Sequence, residues 1–297
     1  MKLRLFLTGH SGFLGKNFIN SFKNEYNFNF YLKNSEICIK EDVVVHLAGK
    51  AHDLKNALNP DEYYRVNTEL TRKIFDAFLT SNAEVFITIS SIKAVADVSN
   101  SILTEEQIPN PISHYGKSKL FAEQYILSKI IPEGKRIYIL RPCMIHGIGN
   151  KGNLNLLYKF VSLGIPWPLG SFENKRSFCS VDNLMFLIKE LIERKDIPSG
   201  IYNVADDEVL STNDLIRISS ESLFKKPIIF NLSPAFIKLL AKVGDLFFLP
   251  LTTDRLHKLT ETCVVDNSKI KSAIKKPFPT SARDGLFKTF QSFKKIQ

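Results

Sequence analysis

Apolar positions along the first half of the chain alternate between two periods. Residues 2–7 form a short apolar-rich run that stops at Thr8, and residues 13–22 carry Phe13, Phe18, Ile19 and Phe22 at helical spacing. Residues 28–32 predict a second strand, and residues 42–47 (DVVVHL) a continuous apolar run of the kind that fills the middle of a parallel sheet. Asn59-Pro60 opens a helix with Tyr63, Val66, Leu70, Ile74, Phe75 and Phe78 on its apolar face. Residues 85–89 predict another strand, and Leu120, Phe121, Tyr125 and Ile126 mark a helix that follows it. Strands alternating with helices predict an α/β chain with a doubly wound parallel sheet.

Beyond about residue 142 the alternation gives way to a mixed region. Residues 167–170 predict a loop, 176–181 a short strand, 183–194 a helix, and 201–204 a strand that returns to the main sheet. The expected division is a first domain over 1–150, with a returning segment near 180–205, and a smaller mixed α/β lobe over 151–297. Residues 236–251 are rich in apolar side chains among Lys238, Lys242 and Asp245. A helix covering the small lobe is the preferred reading over a membrane or partner surface, because Asp245 and Pro250 interrupt a clean stripe.

The chemistry begins at the turn after the first strand. Gly9, Gly12 and Gly15 fall three apart, with Ser11, Phe13 and Leu14 between them, after a strand and before a helix. Glycines in that position let backbone approach a pyrophosphate and aim the first N–H groups of the helix at it. The turn is thus read as the phosphate cradle of a dinucleotide. Leu47, Ala48 and Gly49 close the third strand with small residues that admit a cofactor. An acidic residue at the end of the second strand would meet the ribose hydroxyls of NAD, and a basic one the 2′-phosphate of NADP. Lys33 stands there, with Glu36 as the nearest acid.

Ser90 and Ser91 end the fourth predicted strand, where open α/β sheets bind ligands. Tyr115 and Lys119 lie four apart on one side of a helix. A phenol titrates near pH 10, too high for acid–base work at neutrality, but a fixed ammonium beside it favours the phenolate. With a serine hydroxyl, that pair can hold an alcohol or carbonyl oxygen and move its proton while a nicotinamide exchanges hydride.

Composition narrows this little. The 297 residues, 44% hydrophobic and 24% charged, describe an ordinary globular protein. The net charge of +10 comes from scattered lysines without a compact basic block, so no nucleic-acid partner is expected. Cys38, Cys143, Cys179 and Cys263 have no metal or redox spacing and are expected reduced and mostly buried, and the histidines form no ligand-spaced cluster, so no metal is predicted. No signal peptide or membrane-spanning run is read, and a cytoplasmic location without stable membrane insertion is expected.

These residues resemble the extended short-chain dehydrogenase/reductase family, the NAD(P)-dependent epimerases and dehydratases of nucleotide sugars. The resemblance rests on TGHSGFLG at 8–15, HLAG at 46–49, VN at 66–67, SS at 90–91, YGKSK at 115–119, RPCMIHG at 141–147 and RSFCSVDN at 176–183. It implies a Rossmann-like fold, with Tyr115 as acid–base group, Lys119 as its activator and ribose anchor, and Ser91 holding the sugar oxygen. Asn67 would support the cofactor site; Asn153, in a GNL segment, and Arg176 would contact the substrate diphosphate, and a homodimer is implied.

The departures point further. Lys33 replaces the family's usual aspartate, which slightly favours NADP over NAD, and the segment 34–41 is shorter than usual. Ser91 is followed by Ile92 and Lys93, where dehydratases carry an acidic pair, so dehydration is not expected. Met144 stands where many members have a substrate-contacting asparagine. The resulting expectation is a UDP-sugar enzyme acting at carbon 4 in surface-polysaccharide sugar synthesis. A reductase of a UDP-4-keto-6-deoxy-(N-acetyl)hexosamine is preferred over a UDP-hexose 4-epimerase, with a non-catalytic dinucleotide-binding regulator as the third reading.

Overall fold

Val43–His46 (β3) and Val85–Ile89 (β4) are buried along their whole length, because each has a strand on either side and helices on both faces. They are the middle of an all-parallel sheet in the computed structural model, which describes residues 2–33, 35–51, 59–98, 101–150, 152–247 and 251–294. With Arg4–Thr8 (β1), Asn27–Phe30 (β2), Arg136–Pro142 (β5) and Gly200–Val204 (β8), the strand order is β2-β1-β3-β4-β5-β8. The fold is Rossmann-like, as the alternating pattern predicts. From β1 the chain moves outward to β2, then crosses back to β3 on the other side of β1. That reversal opens a crevice above the C-terminal ends of β1 and β3.

Alternation along the strands divides the core. Leu5, Leu7, Val43, Val45, Val85, Ile87, Tyr138 and Leu140 face Phe13–Phe22 (α1), Val181–Glu193 (α6) and Ser268–Ile274 (α10). Phe6, Val44, Phe86, Ile137 and Ile139 face Ile74, Phe75 and Phe78 of Leu70–Thr80 (α3) and Ile126 of His114–Leu127 (α4). The helix expected over residues 60–78 departs from regularity. It starts as Pro60–Tyr63 (α2), widens to π-helical spacing over Tyr64–Glu69, and tightens again into α3. The wide turn leaves Val66 half-buried and turns Asn67 and Thr68 inward, where hydrogen bonds satisfy both side chains. The second strand is also shorter than predicted, ending at Phe30 on an exposed sheet edge.

The remaining chain builds a smaller lobe around a sheet of Met144–His146 (β6), Arg176–Ser180 (β7) and Val209–Leu210 (β9), ordered β6-β7-β9. Its core joins Asn153–Ser162 (α5), Thr212–Ser222 (α7), Pro234–Phe247 (α8), Thr253–Thr260 (α9) and Ala282–Phe293 (α11). Trp167 and Leu169, in the segment expected as a loop, are buried and bridge to Ile229 and Asn231. Asp206, just after β8, fastens the two sheets together. Its carboxylate accepts the Ser180 amide at 3.0 Å and Asn183 Nδ2 at 2.6 Å, while its own amide donates to the Phe178 carbonyl at 2.7 Å.

Helix α8 packs on the small lobe as expected, and one expectation, that for the cysteines, is corrected. Helix α8 covers the small lobe with only a narrow stripe, Ile237, Ala241 and Gly244, and its other apolar side chains stay exposed; residues 248–250 lie outside the described residues. The cysteines are less uniformly buried than expected: Cys179 is buried, Cys143 and Cys263 are half-buried, and Cys38 is exposed. Among the described residues, no helix is long and apolar enough to cross a membrane.

Phe86 is fully buried with ring centroids 4.9 Å from Phe75 and 5.3 Å from Phe78. Phe86→Ala is expected to cost about 3–5 kcal/mol of folding free energy, read as a lower urea midpoint at unchanged slope.

Candidate active site

The glycine turn is held by close backbone approaches. Gly9 adopts φ +71°, and a side chain there would place Cβ 2.5 Å from the Ala48 amide nitrogen. A Cβ on Gly15 would fall 2.2 Å from the Gly9 carbonyl. Gly12 differs: its added Cβ would meet only that carbonyl, at 3.3 Å, so its open side faces the crevice with exposed Ser11. Helix α1 starts at Gly12 with no side-chain cap, although Ser113, Ser180, Ser211, Thr252 and Ser281 cap α4, α6, α7, α9 and α11. The first-turn amides of Phe13, Leu14 and Gly15 have no partner within the helix. Uncapped amides and a steep positive dipole end suit a dinucleotide pyrophosphate.

The floor of the crevice is a chain of buried hydrogen bonds. Thr71 Oγ1 donates to the Asn67 carbonyl at 2.7 Å, so it can only accept from His46 Nε2 at 2.9 Å. His46 Nδ1 therefore accepts from Thr8 Oγ1 at 2.7 Å, and that oxygen takes the Ala48 amide at 3.1 Å. Burial, assisted by the charge of Lys119, pushes His46 down to about 3. The ring is neutral, and it locks the end of β1 to Leu47 and Ala48 and to the π-helical turn.

Asn67 clamps the next residues. Its Oδ1 accepts the Lys50 amide at 2.8 Å, and its Nδ2 donates to the Lys50 carbonyl and Ser118 Oγ, each at 3.0 Å. Asn67 thus braces the crevice from behind. Gly49 leaves room for Lys119, whose Nζ would be 3.0 Å from a Cβ there. Lys119 Nζ donates to the Ile89 carbonyl at 2.8 Å.

Ser91, just past the end of β4, accepts the Lys93 amide on its hydroxyl at 3.2 Å and lies beside the Tyr115 phenol. Tyr115 reaches it because Gly116 lacks a side chain: a Cβ would collide with the Lys93 carbonyl at 2.3 Å. Asp97 fixes the same approach by accepting Ser113 Oγ at 2.6 Å and the Ser113 and Ile112 amides at 2.8 and 2.7 Å. Desolvation raises the Tyr115 phenol above its ordinary value, with the nearby Ser91 hydroxyl pulling the other way. Desolvation also lowers Lys119, to about 8, and Glu123 one helical turn away opposes that fall. Ser91, Tyr115 and Lys119 thus lie together at the rim of the crevice, an arrangement able to move a proton.

Ser90 serves differently from its neighbour. Its hydroxyl donates to Glu123, which also receives Arg141 Nε at 3.0 Å and Nη2 at 2.6 Å, all buried. The Ser90 side chain is therefore taken up behind the site. Lys33 is exposed, past the end of β2, and acts electrostatically on Glu62, whose carboxyl is held low chiefly by a hydrogen bond from Lys50. Asn153 and Arg176 lie on the small lobe. Asn153 is exposed at the first position of α5, another helix that begins at glycine without a side-chain cap, and Arg176 Nη1 donates to the Lys258 carbonyl at 3.3 Å.

Sequence reasoning passed over Glu123, Asp97, Gly116 and His46. A carboxylate four residues after Lys119 and an acid upstream of a capping serine were usable signals; the steric need at Gly116 was not.

Residues 5–205 match the profile of the NAD dependent epimerase/dehydratase family. Over 332 aligned residues, 99% of this chain and 96% of the relative, the chain is 30% identical to the UDP-glucose 4-epimerase of Vibrio cholerae. It is 31% identical over 188 residues, 62% of the chain and 56% of the relative, to the N-acetyl-alpha-D-glucosaminyl-diphospho-ditrans,octacis-undecaprenol 4-epimerase of Escherichia coli O157:H7. Its fold is shared with MoeE5 in complex with UDP-glucose and NAD (TM-score 0.76, 19% identity, 99% of each chain covered). It is shared equally with RMD from Pseudomonas aeruginosa complexed with NADPH (TM-score 0.75, 19% identity, 100% of each chain). The chain belongs to the NAD dependent epimerase/dehydratase family.

Because Glu123 raises Lys119, a proton-transfer step that needs the ammonium weakens as pH rises through about 8. In Glu123→Gln that alkaline limb of kcat/KM is expected to move to lower pH. The variant is also expected to lose about 3 kcal/mol of stability from the uncompensated Arg141 charge. Full-range pH–rate profiles and thermal melts check both.

Proposed function

We propose that the protein is an NAD(P)-dependent UDP-sugar 4-epimerase. The observation that carries this reading is the Ser91 hydroxyl beside the Tyr115 phenol at the rim of the crevice, with Lys119 one turn further along the same helix. Ser91 positions the sugar 4-oxygen, and the Tyr115 phenolate, stabilised by the Lys119 ammonium, takes its proton and becomes the phenol. A bound nicotinamide would accept the hydride from carbon 4 and later return it. Tyr115 then gives the proton back to the oxygen of the opposite epimer, so protons and electrons balance over the cycle. Nothing acidic follows Ser91, where Ile92 and Lys93 stand, and this disfavours elimination of water. Similarity to a 4-epimerase along almost the whole chain supports the reading.

The cofactor is held in this proposal by Gly9, Ser11, Gly12, Phe13, Leu14 and Gly15 at the pyrophosphate and by Leu47, Ala48, Gly49 and Lys119 along the crevice, with Asn67 as their brace. Asn153, at the uncapped start of α5, and Arg176 would meet the substrate diphosphate. The reductase remains as a second reading on one observation: Lys33, beyond β2, is suited to a 2′-phosphate, and fresh NADPH would make turnover a net reduction.

Purified protein given UDP-glucose or UDP-N-acetylglucosamine without added cofactor is expected to form the 4-epimer by NMR, with no net change in reduced nicotinamide. NADPH consumption with a UDP-4-keto-6-deoxy sugar, and no epimer formation, would replace this reading with the reductase. Tyr115→Phe is expected to lower kcat by about 10²–10⁴ while cofactor affinity stays near that of the parent protein.

A further inference from the structure

Helix α8 keeps one narrow face against the small lobe and leaves most of its apolar side chains uncovered. Ile237, Ala241 and Gly244 are buried, whereas Phe236, Leu239, Leu240, Val243, Leu246 and Phe247 are 39–73% exposed. At helical spacing these six sweep about 120° of the circumference as one continuous stripe. Lys238, Lys242 and Asp245 occupy the remaining arc. Asp245 is engaged, accepting the Thr253 amide at 3.0 Å and its hydroxyl at 2.7 Å. The stretch leading into α8 repeats the composition, with Lys225 and Lys226 beside exposed Ile228, Phe230 and Leu232. Across residues 224–247 there are four lysines and one acid.

We propose that this face of α8 is a membrane-docking surface that seats in the headgroup region of an anionic lipid bilayer. An apolar stripe beside a basic arc is the pattern of a helix lying in the plane of the interface. At 14 residues α8 is too short to span a bilayer, so it lies on one. Charge selects this occupant over a second copy of the chain. In a two-fold self-pairing the added surface carries the same lysine excess, with its Asp245 already engaged by Thr253, whereas anionic headgroups neutralise Lys238 and Lys242.

Co-sedimentation of the full chain with vesicles tests this, comparing pure phosphatidylcholine with equal parts phosphatidylcholine and phosphatidylglycerol. The parent protein is expected to pellet with the anionic vesicles and to be released by salt. Leu239→Gln combined with Leu246→Gln should weaken binding about tenfold or more, while Lys238→Glu combined with Lys242→Glu should abolish the preference for phosphatidylglycerol. Epimerisation of free UDP-sugars should be unchanged in both, since neither pair belongs to the active site, and lipid binding is read without turnover. The proposal is overturned if the parent protein does not pellet, or if the double-glutamine variant pellets as well as the parent. It is equally overturned if gel filtration shows a dimer that this variant splits while the parent ignores vesicles, because a second copy then covers the stripe.

Discussion

The carboxylate of Glu123 is the point on which the site depends. Three elements converge on it: α4, which carries it; β4, through Ser90; and β5, through Arg141. A buried charge of this kind is tolerated only with a full set of partners, so the three elements are held at one mutual distance. Lys119 stands one turn earlier on the same helix, and Ser91 follows Ser90 just past the end of β4. The spacing between hydroxyl, phenol and ammonium is therefore set from behind, by groups that face away from the crevice.

A second brace works on the cofactor side. The π-helical turn at Tyr64–Glu69 exists at the expense of regular helix spacing, and what it delivers is Asn67, fully buried and hydrogen bonded to Lys50 and Ser118. The neutral imidazole of His46 connects that turn to Thr8 and Ala48. The walls of the crevice are thus cross-linked by polar bonds beneath a surface lined by glycine, and the glycines can stay bare because the rigidity lies below them.

Much of the fold was legible in the sequence because parallel strands buried on both faces read as unbroken apolar runs, as at Val43–His46 and Val85–Ile89. The glycine turn, Ser91, Tyr115 and Lys119 were legible as local spacings, and the structure places the last three side by side. What escaped depended on distant partners. The π-helical turn follows from bonds between Asn67 and residues up to 51 positions away, which no local period encodes. Ser90 and Ser91 look alike in sequence, yet one hydroxyl goes to Glu123 and the other sits beside Tyr115. Trp167 and Leu169 read as loop because their bridging partners, Ile229 and Asn231, lie some sixty residues on. Helix α8 read as a cover because composition records how apolar a helix is, and not how much of it finds a neighbour.

The position of β8 has a consequence for how the chain is made. Strand β5 closes at Pro142, yet its outer neighbour, Gly200–Val204, is separated from it by β6, α5, β7 and α6. During synthesis the hydrogen-bonding edge of β5 stays open until most of those elements have left the ribosome. The Asp206 fastening to Ser180 and Asn183 can form only afterwards. The large sheet and the small lobe are thus completed in one late event, and a truncation before residue 200 would leave an unpaired apolar strand edge open to aggregation.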